Sequence, residues 1–276
     1  VDALSPRGSV QECHGIVLTG GSAFGLATAD GVVSWCEGEG LGLALPLVTV
    51  PIVAAAVVFD IRDPYHPRPG AEAGAAACRA AAEEDPPQGS VGVGAGCTAA
   101  KVAGREWAVA GGQGWAVTRG GGVTVGAIMG VNPVGEVLGP AGEVLAGTRA
   151  PAEAPRFPEH SMAQIAAWGE PPTAGTNTVI GCVVTDAKLT KVEACRAADL
   201  AHSGIARAVR PAHTSADGDI IFLLATGAEG HEPSSVDLVA ELASKAVADA
   251  IRSAVAHATG SEQFPPDPRA KDYLGA

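Results

Sequence analysis

Gly175–Thr176–Asn177–Thr178–Val179–Ile180–Gly181–Cys182–Val183–Val184–Thr185–Asp186 is the stretch on which the reading of this chain turns. A short polar segment, GTN, switches at Thr178 into an almost unbroken apolar run. A run of this length, rich in β-branched residues, reads as a strand buried on both faces. Thr178 then has two readings. In one it merely opens the strand, as β-branched residues do. In the other it is a nucleophile: its hydroxyl attacks the Asn177 carbonyl, the acyl group shifts from nitrogen to oxygen, and water releases the ester. The new α-amine, with a pKa of about 8, could then serve as base for the hydroxyl of the same residue.

Working outward, residues 14–19, HGIVLT, form a short apolar run ending at Gly20–Gly21 and predict a buried strand before a helix. Ser22 is the expected cap, and Phe24, Ala27, Gly31 and Val32 fall near one face. Glycine amides gathered at a helix start would suit an anion. Residues 41–59 carry no charge, but Pro46 and Pro51 and a β-branched end argue for a loop and then a strand over 51–61, not a membrane span. A Pro-rich loop covers 62–70, an Ala-rich helix 71–84 and a glycine-rich loop 89–101. Strands are expected at 107–110, 114–118 and 122–132. Residues 139–173 show little periodicity and read as a long surface connection.

The pattern then sharpens. Thr190–Lys191–Val192–Glu193 is a capping box, so a helix starts there and runs to about Arg210. Leu189, Val192, Cys195, Ala198 and Ile205 are expected on its buried side. A strand over 219–227 follows. Ser234 or Ser235 caps a last helix to about Gly260, with Leu238, Leu242, Val247, Ile251 and Val255 inward. The tail from Ser261 is expected to be irregular.

The chain has 276 residues, 37 Gly, 20 Pro and only 4% aromatic residues, so its core must be built from small aliphatic side chains set close together. With 30 acidic against 18 basic residues the net charge is −12, which argues against nucleic acid as a partner. Six cysteines without a CxxC pattern read as buried reduced thiols in a cytoplasmic protein. The seven histidines show no metal-ligand spacing; His202 and His213, eleven apart, read as structural, and no metal or cofactor is expected. The GVGAGC loop lacks the GK[ST] of a phosphate loop, and there is no GxSxG elbow. Lys101, just after that loop, is either solvated or placed for electrostatics. The first residue is Val1, which reads as a trimmed N-terminus and an absent N-terminal strand.

Six segments occur in one order: HGIVLTGGSAFGL (14–26), VPIVAAAVVFDI (50–61), VGAGCTAAK (93–101), GVNPVGEV (130–137), TNTVIGCVVTDAKLT (176–190) and HTSADGDIIFLLATG (213–227). Together they resemble the self-cleaving aminopeptidase family that includes L-aminopeptidase/D-esterase and the nylon-oligomer hydrolases. The resemblance implies an α/β/β/α sandwich like that of the N-terminal nucleophile hydrolases, one domain over 1–276, cut into 1–177 and 178–276. It places the nucleophile on Thr178, with Lys101 and Asn132 as catalytic partners and Asp217 and Asp219 in support. Asn132 would hold the hydroxyl or the oxyanion. Lys101 would favour a neutral Thr178 amine by repulsion. Asp217 and Asp219 would point to one side and orient the amine or Lys101, or simply form a turn before a strand. Gly21, Ser22 and Phe24 would line the substrate pocket, or else pack. Phe59 stands where the nylon-oligomer branch has Tyr, and Cys97 where a small hydroxyl residue is common. The implied activity is hydrolysis of peptides, amino-acid amides or ω-amino-acid oligomers by a homo-oligomer of cut units. The rivals are an acyltransferase of the ornithine acetyltransferase type and a non-catalytic small-molecule binding protein.

Overall fold

A computed structural model of the chain describes residues 2–168, 175–227 and 234–275. Along the chain run β1 (Gly15–Thr19), α1 (Thr28–Gly38), β2 (Leu43–Ala44), β3 (Thr49–Val50), β4 (Val53–Val57) and α2 (Ala71–Ala80). Then come β5 (Thr98–Ala99), β6 (Val109–Ala110), β7 (Gly112–Gly120), β8 (Val123–Asn132), β9 (Glu136–Leu138), β10 (Val144–Ala146) and α3 (Met162–Trp168). The last part holds β11 (Thr178–Thr185), α4 (Lys191–Ala208), β12 (Val209–Arg210), β13 (Ile220–Ala225) and α5 (Val236–Ala256).

These elements stack as α/β/β/α. The main sheet has the order β13-β11-β8-β7, with β11 parallel to β13 and antiparallel to β8. The second is the parallel pair β1–β4. Alternation along β11 explains its apolar sequence. Val179 and Val183 belong to the core shared with α4 and α5, whereas Ile180 and Cys182 belong to the cluster between the sheets with Ala54, Ala56 and Phe222. Both faces are dry, so both sets are apolar. On the far side α1 and α2 lie together, with α1 against β1 and β4.

Small residues let the layers approach. A Cβ on Gly114 of β7 would lie 2.1 Å from the Ala250 carbonyl of α5, and one on Gly204 of α4 would lie 2.3 Å from the Ser244 carbonyl. A core poor in aromatic rings is therefore filled by backbone proximity rather than side-chain bulk.

Several local expectations need correction. Ser22 does not cap α1. Gly21 (φ 81°) and Ser22 (φ 53°) both take left-handed backbone, and a 3₁₀ segment over Ser22–Ala27 precedes the helix. Phe24 and Ala27 are exposed, so only Gly31 and Val32 of the expected face are buried. On α4 the buried stripe is Ala197, Ala201, Gly204, Ile205 and Ala208, while Val192 is 60% exposed, because the helix turns its small residues toward α5. The uncharged segment at 41–50 forms the hairpin β2–β3 instead of a plain loop. The connection 139–173 contains β10 and α3, and its residues 169–173 lie outside the described ones. The tail carries a 3₁₀ segment at Pro268–Gly275. Thr190 and Glu193 do form the capping box, and Ser235 caps α5. Among the described residues no helix is long and apolar enough to cross a membrane.

Candidate active site

Two strand ends meet at Thr178. It is the first residue of β11 and faces Asn132, the last of β8, in the antiparallel ladder. Asn132 is fully buried, Asn177 and Thr178 nearly so. The Asn132 amide orientation is fixed by its neighbours. Its Oδ1 accepts from the Thr98 N–H (2.9 Å) and Lys101 Nζ (2.9 Å), both donors. Its Nδ2 donates to the carbonyls of Phe59 (3.2 Å) and Thr176 (3.3 Å). Thr176 lies immediately before the Asn177–Thr178 pair.

Lys101 is only 5% exposed, and its Nζ also donates to the Asn132 carbonyl at 3.0 Å. Both acceptors are neutral. Burial therefore pulls its ammonium down to about 7, and Arg105 adds to the fall, while Asp217 opposes it. Burial pushes the Cys97 thiol up to about 12, so at neutral pH it is an uncharged neighbour. Lys101 is thus poised near neutrality between ammonium and free amine, where proton transfer is most effective. Of the two readings of this lysine, solvation is excluded.

The Asn177 carbonyl oxygen accepts from the Gly218 N–H at 2.9 Å and from the Thr178 hydroxyl. Asn177 and Asp217 form an isolated parallel bridge, which sets this loop against the start of β11. Asp217 and Asp219 accept from different partners. Asp217 accepts from Val134 N–H (3.1 Å) and from the Thr214 N–H and hydroxyl (3.2 and 2.6 Å), closing its own turn. Asp219 accepts from the Val179 N–H (2.7 Å) and contacts His213 Nδ1 at 2.7 Å. The intervening Gly218 is committed to Asn177, which separates the two carboxylates. Gly218 was readable in the sequence only as a turn glycine, and His213 only as one of seven histidines.

The glycine pair serves an internal anion: Gly21 N–H donates to Asp60 Oδ1 at 2.7 Å. Asp60 follows Phe59, whose carbonyl holds Asn132, so Gly21 is linked to the site through that segment. Phe24 is 55% exposed beneath the Arg68 guanidinium, 3.7 Å from its ring centre. Cavities of about 590 and 570 Å³ both border Ile16 of β1 and are not lined by Thr178, Lys101 or Asn132. Among the described residues no group of His, Cys, Asp or Glu is arranged to hold a metal.

The layered fold, and a hydroxyl, a near-neutral lysine and an amide donor gathered at one strand start, define an amide-bond hydrolase. The comparisons give it a family. The chain belongs to peptidase family S58, whose model matches residues 1–264. It is similar to an uncharacterized aminopeptidase of Mycobacterium tuberculosis, 39% identical over 246 residues, covering 85% of this chain and 68% of that protein. It is 30% identical over 231 residues to the 6-aminohexanoate-oligomer endohydrolase of Agromyces sp., covering 81% of this chain and 63% of that enzyme. The chain thus spans about two thirds of the length of these relatives. The solved L-aminopeptidase D-Ala-esterase/amidase of Ochrobactrum anthropi, described as a variant of the Ntn hydrolase fold, matches with a TM-score of 0.59 at 18% identity, covering 92% of this chain and 72% of that one. That likeness is one of fold.

Proposed function

We propose that this chain cuts itself between Asn177 and Thr178 and then works as an N-terminal-threonine amide hydrolase through an acyl-enzyme on Thr178. The observation that carries the reading is the Asn177 carbonyl, held between the Gly218 N–H and the Thr178 hydroxyl. In the cut, Thr178 Oγ bonds to the Asn177 carbonyl carbon and gives up its proton. Lys101 in its free-amine form, bonded to Asn132 opposite Thr178 in the ladder, is the base this reading assigns. Gly218 N–H already points at the oxygen that becomes the oxyanion, where a preorganised donor is most effective. The C–N bond then breaks, nitrogen takes up the proton, and an ester links Asn177 to Thr178. Water cleaves the ester, leaving the Asn177 carboxylate on 1–177 and a free amine on 178–276.

The cut also changes the site. In the uncut chain Asn132 Nδ2 is occupied by the Thr176 carbonyl. Departure of the 176–177 segment frees that donor for an incoming substrate oxygen, and uncovers Thr178. The amine of Thr178 and Lys101 then share the proton traffic of acylation and deacylation, with Lys101 disfavouring a second positive charge nearby. Peptides, amino-acid amides and ω-amino-acid oligomers are the substrates this reading assigns, in line with the names of the relatives. It also assigns a homo-oligomer of cut units, with the apolar hairpin β2–β3 as the contact face.

Denaturing intact-mass analysis tests it. Wild-type protein is expected as two fragments split at 177/178, and Thr178→Ala as one inactive chain. Full-length wild type that hydrolyses amino-acid p-nitroanilides would sink the reading.

A further inference from the structure

Asp219 is a buried carboxylate with two uses. One oxygen accepts from the N–H of Val179, the residue directly after Thr178. The other lies 2.7 Å from His213 Nδ1. His213 pays for this with backbone geometry: it is one of three non-glycine residues at positive φ among those described (φ 54°). Its Nε2 lies 3.3 Å from the His202 carbonyl, and the two imidazoles are 5.2 Å apart. With Nδ1 on Asp219 the ring is fixed at both nitrogens, on α4 and on the loop that carries Asp217, Gly218 and Asp219. A non-glycine residue in the left-handed region, held at both ring nitrogens and linked through Asp219 to the residue after Thr178, is more than a surface histidine.

Resting on the reading of Thr178 as nucleophile, we propose that His213 is a positioning residue: it holds the Asp219 carboxylate ionised and aligned on the Val179 N–H, and so sets where the first residue of β11 presents its hydroxyl. The neighbouring groups agree with this. Burial pushes the Asp219 carboxyl up, and Asp217 in the same turn adds to the rise; the Val179 N–H and His213 oppose it. On the α4 side His202 faces the imidazole; burial and His213 hold the His202 pKa down, and Asp199 opposes. Strands β11 and β13 bring no acidic or basic side chain. Among these groups His213 is the one that supplies a donor to the second Asp219 oxygen. Without it, the carboxyl would take up a proton at higher pH and its grip on Val179 N–H would slacken.

Two variants suit the left-handed backbone at this position, His213→Gly and His213→Asn. Glycine removes the side chain; asparagine keeps a donor near the Nδ1 position but carries no charge. The rate at which the full chain converts into 1–177 and 178–276 is followed by intact mass from pH 5 to 9 in wild type and both variants. His213→Gly is expected to slow the cut at least tenfold at pH 5 and far less at pH 8, because protonation of Asp219 then steepens the acid limb that Lys101 sets near 7. His213→Asn is expected to recover part of the rate. If wild type cuts and both variants keep its rate and acid limb, or lose rate by the same factor at every pH with no steepening of the acid limb, His213 has only a structural role and the proposal fails. If wild type itself is not cut, the nucleophile reading fails, whatever the variants do.

Discussion

At Lys101 the physical demands of stability and of chemistry run in opposite directions. The unfolded chain holds this proton up to about 10.5, whereas the folded chain releases it near 7. Between those values the unfolded state binds more protons, so stability contributed at this site rises with pH from about 7 to about 10.5, and the full penalty of burial is felt below 7. Lys101→Met is therefore expected to raise the unfolding temperature at pH 7, to lose that advantage near pH 10.5, and to abolish both self-cleavage and hydrolysis. Intact mass of Lys101→Met checks the cut, and thermal melts at the two pH values with and without Lys101→Met in the uncut Thr178→Ala chain check the stability; a double variant less stable than Thr178→Ala at pH 7 would contradict the assigned burial cost. The lysine itself was legible in the AGCTAAK pattern, but its buried, uncompensated state was not. That state depends on Asn132, 31 residues further on, supplying neutral acceptors. His213 was illegible for the same reason: its partner carboxylate is six residues away in a turn, at no spacing that any local motif would mark.

Among the elements, those whose ends are written in contiguous residues were read correctly. The Thr190–Glu193 box starts α4 as expected, and the unbroken apolar run gives β11. Where the reading slipped, the deciding partner was distant. Ser22 is a cap by residue type, but Gly21 is bonded to Asp60, 39 positions away, both Gly21 and Ser22 take left-handed backbone, and the helix starts at Thr28. The face of α4 was misjudged because alanine and glycine, not the larger Val192, are what α5 can accommodate. Gly204 marks that contact, so Gly204→Ala is expected to destabilise the fold by about 1–3 kcal/mol, the usual range for overpacking, since the Ser244 carbonyl it would meet is helix backbone. Urea unfolding of the Thr178→Ala chain, in which no cut intervenes, measures it; an unchanged midpoint would show that the helices can slide apart at no cost.

For the whole molecule, the acidic charge and the apolar hairpin divide the surface. The β2–β3 hairpin carries no charge, and Leu47 at its tip is 98% exposed, flanked by exposed Leu45 and Val48. In the proposed homo-oligomer this apolar group is the contact face. Leu47→Asp is expected to lower the mass of the species seen by sedimentation, with self-cleavage intact. An unaltered mass would place the subunit contact elsewhere.

The ladder through Thr178 has one more consequence. Strands β7 and β8 belong to 1–177, whereas β11 and β13 belong to 178–276, and the two halves of the sheet meet along the eight register pairs from Thr178–Asn132 to Thr185–Val125. The proposed break falls at the edge of that seam and would leave it closed. A matured molecule would keep the architecture of its precursor, yet its two pieces, once melted apart, would have to find each other in solution. Recovery after denaturation would become second order and dilution-sensitive, so the active form would persist through a slow rate of opening, a state reached once and not readily regained.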